Sequence, residues 1–425
     1  MLSDAVLYRL LWPPSASPHA QSCSQIELPP LLRNRRLGER LDRPLYNLLA
    51  LILREHVLPW YGKLSRDKEF VWELRRVLVD VLREVERACS SIDLPELVYC
   101  RLPTLVDVHV RDYHEACSRR CTAYAHQAES VDQVFNTLQP HLGITSSLST
   151  DSKLPDFVEA AYLNNVVDGM LLALLPDEES TSPAVKAIAR DIIVQIILAN
   201  VLARAAQPWF LYQTVIKLAQ PRPKLRNTQH TLWQAFQHAC TMVVVAVSFL
   251  RVQILGGRVR MSTRRYALHR PSLTLLTTML CTQYASPVTA VSAIDAIFTL
   301  GGSATDQVLI YLLAECVFSP DQLVRWVEIA TEAIFPDGHP PPPAIDPTAE
   351  QQVTLRTEAA LLLGEAIPPL VTARILHDML PAKRSAALGH GLLDPFSSHA
   401  CNVHLIMLLL DSFAGTLCPT LTLPG

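Results

Sequence analysis

The stretch Phe70-Val-Trp-Glu-Leu-Arg-Arg-Val-Leu-Val-Asp-Val-Leu-Arg-Glu-Val85 decides the fold class. Its apolar residues Phe70, Leu74, Val77, Leu78, Val81, Leu82 and Val85 recur at i, i+4, i+7, i+8, i+11, i+12 and i+15, with Arg75, Arg76, Arg83 and Glu84 between them. That 3.6-residue repeat describes a helix with one buried face; a strand alternates every second residue and cannot carry it. Upstream, Leu49, Ile52, Leu53 and Val57 share the spacing, predicting a helix from Tyr46 to about Trp60. The arginine-rich run Arg33, Arg35, Arg36, Arg40 and Arg43 leads into it. Met1 to Trp12 reads as a short amphipathic turn or two stopped by Pro13 and Pro14, followed by a loop over 13–30. Downstream, Asp93 with Glu96 is a capping-box-like start for a helix running through Tyr113.

Later helix starts are marked by Ser182-Pro183, Ser286-Pro287, Ser319-Pro320 and Asp346-Pro347, each a capping side chain before a first-turn proline. Ser319 also has Gln322 at the third position. Gly256-Gly257 and Gly301-Gly302 mark helix ends, while Pro221-Arg-Pro223 and the run Pro340 to Pro343 mark connectors. Alternating Val, Thr and Tyr runs joined by Asn-Gly or Asp-Gly are missing, as is a fixed-period repeat. The expectation is an all-α protein.

The chain has 425 residues, enough for two domains or one composite body with a large interior. Hydrophobic residues make up 49% of it and charged residues only 18%, and the mean hydropathy is +0.20. Aromatics stay at 7%, so the excess is Leu, Val, Ile and Ala, which fill helical interiors or line greasy cavities. The 10 cysteines are scattered, and neither an Asn-x-Ser/Thr acceptor nor a charged segment followed by an apolar one at the start is present. These features point to a reducing, cytosolic setting.

The net charge is −3, but its distribution is uneven. No acidic residue falls between Asp191 and Asp295, whereas that interval holds eleven bases, among them Arg258, Arg260, Arg264 and Arg265. From Asp295 to Glu365 the only bases are Arg325 and Arg356. Three apolar stretches, Ile192 to Ala203, Leu232 to Leu250 and Pro271 to Ile294, resemble membrane spans, and each departs from one. The first is too short, the second carries Gln234, Gln237, His238, Thr241 and Ser248, and the third is rich in Ser and Thr and broken at Pro287. In the second, Gln234, His238, Thr241, Ser248 and Arg251 form a narrow polar seam on an otherwise apolar helix. Such a helix is central in a core or faces an apolar ligand. Val194, Ile197 and Val201 on the first stretch, with Phe236, Val243, Val244 and Val247 on the second, are the candidate lining of a lipid cavity.

Catalytic chemistry finds little support. There is no Gly-x-Ser-x-Gly elbow and no phosphate-cradling glycine loop with a lysine, and Glu178-Glu179 sits in a Ser/Thr-rich loop. His109, His114, Cys117, Cys121 and His126 are the one metal-like cluster, but a structural zinc site normally closes with ligands from two segments, so no metal is expected. The basic cluster Arg258, Arg260, Arg264 and Arg265 suits anionic lipid head groups, each basic residue contributing about 1 kcal/mol near such a surface. A solvated loop, or pairing with the acid-rich segment that follows, is the alternative. Without interleaved aromatics the cluster does not suit nucleic acid.

The run Leu48-Leu-Ala-Leu-Ile-Leu-Arg-Glu-His-Val-Leu-Pro-Trp60-Tyr61, then Ser65-Arg-Asp67 and Phe70, resembles the opening of a PX-associated (PXA) domain. The likeness continues through Ile92-Asp93-Leu94, His109 to Tyr113, Tyr162 to Pro176 and Ala189 to Leu202. Ser319 to Trp326, Ile334 to Gly338, the proline-rich connector and a closing apolar helix from His404 to Phe413 resemble the nexin C domain of sorting nexins. The RGS and PX modules and the membrane hairpin of larger family members are not seen in this chain. The resemblance implies two helical halves packed into one composite body with an apolar cavity or groove that holds lipid at organelle contacts. It implies no catalytic residues. The expected organisation is an arm over 1–44, a PXA-like domain over 45–220, a linker over 221–230 and a nexin C-like region over 231–425.

Three functions follow as expectations. The first is a lipid-binding, lipid-transferring protein on organelle membranes, with no cofactor beyond a bound lipid or fatty acyl chain and with an anionic membrane surface as partner. The second is a membrane organiser that inserts Met1–Trp12 or Leu232–Leu250 into one leaflet. The third is a helical adaptor whose apolar groove binds a partner protein.

Overall fold

The computed structural model describes residues 4–12, 29–120, 130–144, 155, 157–174, 183–199, 201–219, 267–281, 292, 295, 296, 298, 299, 302–335, 338, 339, 346–366 and 381–421. Among them every regular element is helical, and Ile144 opposite Val158 is an isolated bridge. The first half contains α1 (Asp4–Leu11), α2 (Arg35–Ile52), α3 (Leu58–Leu64), α4 (Glu69–Ser91), α5 (Leu102–Arg120), α6 (Val131–Leu138), α7 (Ala160–Leu174), α8 (Pro183–Ile192) and α9 (Pro208–Ala219). The second contains α10 (His269–Cys281), α11 (Ser303–Leu312), α12 (Pro320–Ile334), α13 (Ala349–Ala366), α14 (Pro381–Leu393) and α15 (His399–Leu417). Wider π-helical turns continue several of them, at Leu53–Val57, Leu97–Arg101, Ile193–Leu198, Val201–Ala205 and Leu313–Val317.

The helix expected to begin at Tyr46 begins eleven residues earlier, because the Asn34 side chain accepts the Leu37 amide and caps α2 through the arginine-rich run. Pro44 sits inside α2. Asp93 caps as expected, accepting the Glu96 amide at 3.1 Å. Helix α12 does start at Pro320, but Ser319 makes no capping bond. Helix α13 starts after Thr348 rather than Asp346, since Thr348 and Gln351 cap each other reciprocally at 3.0 and 3.4 Å. Gly302 has φ +52°, and its amide reaches the Phe298 and Thr299 carbonyls, closing the preceding turn before α11.

The two halves share their cores. One cluster joins Leu7 and Leu11 of α1, Leu49 and Leu53, Leu74 and Val77 of α4 and Ile192 of α8 with Phe335, against which Leu323 and Val327 of α12 pack. A second joins Leu163, Leu171, Val194 and Leu202 with Val403 and Met407 of α15. A third joins Tyr212 and Ile216 of α9 with Ala359 and Ala360 of α13. Helices α13 and α14 approach so closely that a Cβ on Gly389 would coincide with the Ala360 carbonyl, so only glycine fits there.

Helix α1 is spent in this packing. Trp12 stacks on Tyr8 at 5.1 Å, meets Tyr46 edge-on at 5.1 Å and lies under the Arg75 guanidinium, so the apolar face expected to enter a leaflet is occupied by the protein core. Helix α15 is long and apolar enough to cross a membrane, yet its interior-facing residues include the fully buried His404 and the buried Asn402, both bonded to the first half. Its apolarity belongs to a core helix.

Candidate functional site

A groove opens where the two halves meet along α10. The π-helical turn Leu97–Arg101 projects Tyr99 toward it, and α10 supplies a face spaced by threes: Leu273, Leu276 and Met279. Phe298 and Leu309 complete the walls of a volume of about 380 Å³, within the size range of small-ligand sites. Most of the polar groups around it are engaged, His269 Nδ1 being buried without a partner among the described residues. Tyr99 donates its hydroxyl to the Leu309 carbonyl at 2.9 Å and accepts from the Ser272 hydroxyl at 3.3 Å on its own carbonyl. His269, at the start of α10, pairs through Nε2 with Asp295 at 3.1 Å and stands edge-on to Phe298. Asp306 accepts the Leu268 amide at 3.1 Å, and its burial raises the carboxyl above its ordinary range. Among the described residues the groove presents mainly alkyl and ring surface.

A larger cleft, of about 590 Å³, lies between α2 and the end of α12. Its walls are mixed: Leu51 and Phe335 alternate with Glu328 and Glu332, and Arg54 is bonded to Glu55 at 2.6 Å and to the Gly338 carbonyl. His339 pairs with the same Glu55 at 3.4 Å. Half-polar walls with an internally paired arginine suit an apolar ligand less well than the α10 groove does.

Elsewhere the halves are joined by polar bonds along α15. Asn402 donates to the carbonyls of Ala206 and Phe396, each at 2.9 Å. His404 Nε2 lies 2.6 Å from the Gln139 carbonyl, His109 Nε2 lies 3.1 Å from the Pro395 carbonyl, and His399 Nε2 lies 3.2 Å from the Leu202 carbonyl. Asp411 accepts from Tyr162 and His141, both at 2.9 Å. Burial lowers His109 and His404 to about 4, so both rings are neutral at pH 7. Burial, reinforced by the Asp411 bond, pushes Tyr162 up to about 12.

The residues singled out from the sequence are not gathered at one place. Val194 is fully buried, within the cluster of Leu171 and Met407, and Val201 is 36% exposed on the following turn. Ile197 lies on the π-helical run between them; its side chain, together with Phe236, Val243, Val244, Val247, Arg258, Arg260, Arg264 and Arg265, falls outside the described residues. Of the metal-like cluster, His109 is used on the Pro395 carbonyl and His114 is lowered by burial, while Cys121 and His126 are also outside. Among the described residues no three His, Cys, Asp or Glu side chains are grouped to hold a metal, and Cys89, Cys100, Cys117, Cys401 and Cys418 form no disulfide with one another. The groove residues Leu273, Leu276 and Met279 fall in the third span-like stretch, where their spacing by threes among Thr and Ser was the available signal.

Among the described residues, two helical halves that share their cores define the class. Residues 38–218 match the PXA domain, and residues 289–375 match the sorting nexin C-terminal domain. The chain therefore carries a PXA domain and a sorting nexin C-terminal domain; neither a PX nor an RGS domain is among the matches. It is 24% identical to PXA domain protein 1 of Schizosaccharomyces pombe over 207 residues, 47% of this chain and 40% of that protein. It is 24% identical to sorting nexin-13 of Mus musculus over 185 residues, 41% of this chain and 19% of that protein. Sorting nexin-19 of Mus musculus is 22% identical over 166 residues, 38% of this chain and 15% of its own length. The chain thus spans less than half the length of these relatives. No solved structure matches it.

Proposed function

We propose that this chain is a non-enzymatic protein of the membrane periphery that binds a lipid by seating its acyl chain along α10. The observation that supports this reading is the groove between the halves: its walls are mostly alkyl and aromatic, the Tyr99 and Ser272 hydroxyls at its border are bonded to backbone, and His269 Nε2 is bonded to Asp295. Each methylene taken out of water there contributes about 0.8 kcal/mol, so a partly seated chain reaches useful affinity without a polar anchor. In sequence, Arg258, Arg260, Arg264 and Arg265 precede α10 by eleven to four residues, and such a basic cluster suits an anionic head group. The relatives named sorting nexins support work in membrane traffic on the cytoplasmic side of organelle membranes or at their contact sites, with carriage of lipid between membranes as the further step.

Native mass spectrometry of the purified full chain, paired with organic extraction, tests the reading. A stoichiometric adduct in the phospholipid or fatty-acid mass range is expected. A protein that remains lipid-free after incubation with phospholipid vesicles would remove lipid binding from its function.

A further inference from the structure

Helix α3 and the turn that leads to α4 present a second, unrelated feature. Trp60, Tyr61 and Phe70 form a three-ring cluster, with centroids 5.8 Å apart for Trp60–Tyr61, 6.2 Å for Trp60–Phe70 and 4.9 Å for the stacked Tyr61–Phe70. The rings support one another, yet Trp60 remains 39% exposed and Leu64, one turn further, 76% exposed. Trp60 donates its indole N–H to the His56 carbonyl at 2.9 Å, so the ring can leave water without stranding its donor.

The same turn carries Lys63, Arg66 and Lys68, all exposed and none ion-paired with a described residue. Asp67 and Glu69 share the segment, but Asp67 is directed at the start of α4, accepting the Glu69 amide at 3.0 Å while donating its own to Ser65 at 3.0 Å. The turn is thus stiffened from within, with its cations and its largest apolar side chains left outward.

We propose that this turn is a membrane-docking surface, in which Trp60 and Leu64 enter the boundary between head groups and acyl chains of an anionic bilayer while Lys63, Arg66 and Lys68 meet the phosphates. Aromatic residues concentrate at that boundary, and a mixed aromatic–cationic rim matches its layered chemistry. Three exposed cations, Lys63, Arg66 and Lys68, against two exposed carboxylates, Asp67 and Glu69, leave the turn net positive, which favours an anionic bilayer as its occupant. The surface is separate from the groove along α10: one meets a bilayer, the other holds a single lipid.

Co-sedimentation of the full chain with vesicles of phosphatidylcholine alone, and of phosphatidylcholine with phosphatidylserine, reads this out. The wild type is expected to bind the anionic vesicles preferentially. Leu64→Glu and the pair Lys63→Glu with Lys68→Glu should each weaken that binding by about tenfold or more. Leu142→Glu, at a site 89% exposed elsewhere, should leave it unchanged. Because Leu64 is already in water, its variant keeps the wild-type thermal melt, and lipid retained in the groove should extract in the same amount from both proteins. The proposal is overturned if Leu64→Glu binds anionic vesicles as the wild type does, or if the wild type binds neither vesicle. It is likewise overturned if Leu64→Glu alters only the sedimentation mass, which would make the turn a self-association face.

Discussion

Along α15 the two halves are joined by side chains that reach backbone carbonyls across the boundary; along α10 they meet at a groove with mostly apolar walls, whose hydroxyls are bonded at its edges. Both seams lie in one helical body, and they place different demands on the sequence. A buried donor aimed at a carbonyl fixes one register, because any shift strands both partners in a dry interior. An alkyl wall accepts many arrangements at little cost and leaves room for a guest. The polar seam therefore holds the halves in place, and the apolar seam is where the molecule can take up something else.

Acid should break the first seam and spare the second. His109 and His404 have folded values of about 4 against an ordinary 6.5, so between those limits the unfolded chain binds more protons than the folded one. Their contribution is complete above about pH 6.5 and is lost as pH falls toward 4, at roughly 2 kcal/mol per ring by pH 5. Urea unfolding at pH 7 and pH 5 should show the decline. His404→Gln keeps a donor for the Gln139 carbonyl and removes one of the three histidine titrations that burial lowers among the described residues, His114 being the third, so its slope should be shallower. Equal slopes for the two proteins would show that His404 does not carry the effect.

A smaller loss is expected from Asn402→Leu. The substitution preserves volume but strands the Ala206 and Phe396 carbonyls, which at roughly 1–3 kcal/mol for an unsatisfied buried group gives about 2–3 kcal/mol in all, since Asn402 Oδ1 itself has no partner to lose. Chemical denaturation at pH 7 measures it. A variant as stable as the wild type would mean that the polar seam is held by the histidines and Asp411 alone.

The difference between the seams also explains what could be read from the chain. Local periodicity marks the buried face of Phe70 to Val85, and the Asp93 cap is a matter of four consecutive residues, so both were visible. The bond from His404 to the Gln139 carbonyl spans 265 residues, and no local pattern marks a backbone acceptor. Val194 reads from its apolar stretch as a candidate lining residue of a lipid cavity; the structure places it in the core cluster with Val403 and Met407 of α15, neighbours that depend on where α15 docks. The amphipathic pattern of Met1–Trp12 reads as a segment for one leaflet, whereas in the structure Tyr46 and the Arg75 guanidinium cover it. Hydrophobic surplus is legible in composition, but its division between shared core and open groove is a tertiary fact.

The groove should yield the smallest change in stability and the clearest change in occupancy. Leu276 is half-buried on the wall formed by α10, so Leu276→Trp adds volume into open space rather than into a closed core, and stability should move by less than about 1 kcal/mol. The same ring occupies the position an acyl chain would take, and extracted lipid per protein should fall several-fold while acid sensitivity through His109 and His404 is retained. A destabilisation as large as that of Asn402→Leu would show instead that the α10 wall is packed as tightly as the α15 seam, and the distinction between a fastening seam and a receiving one would disappear.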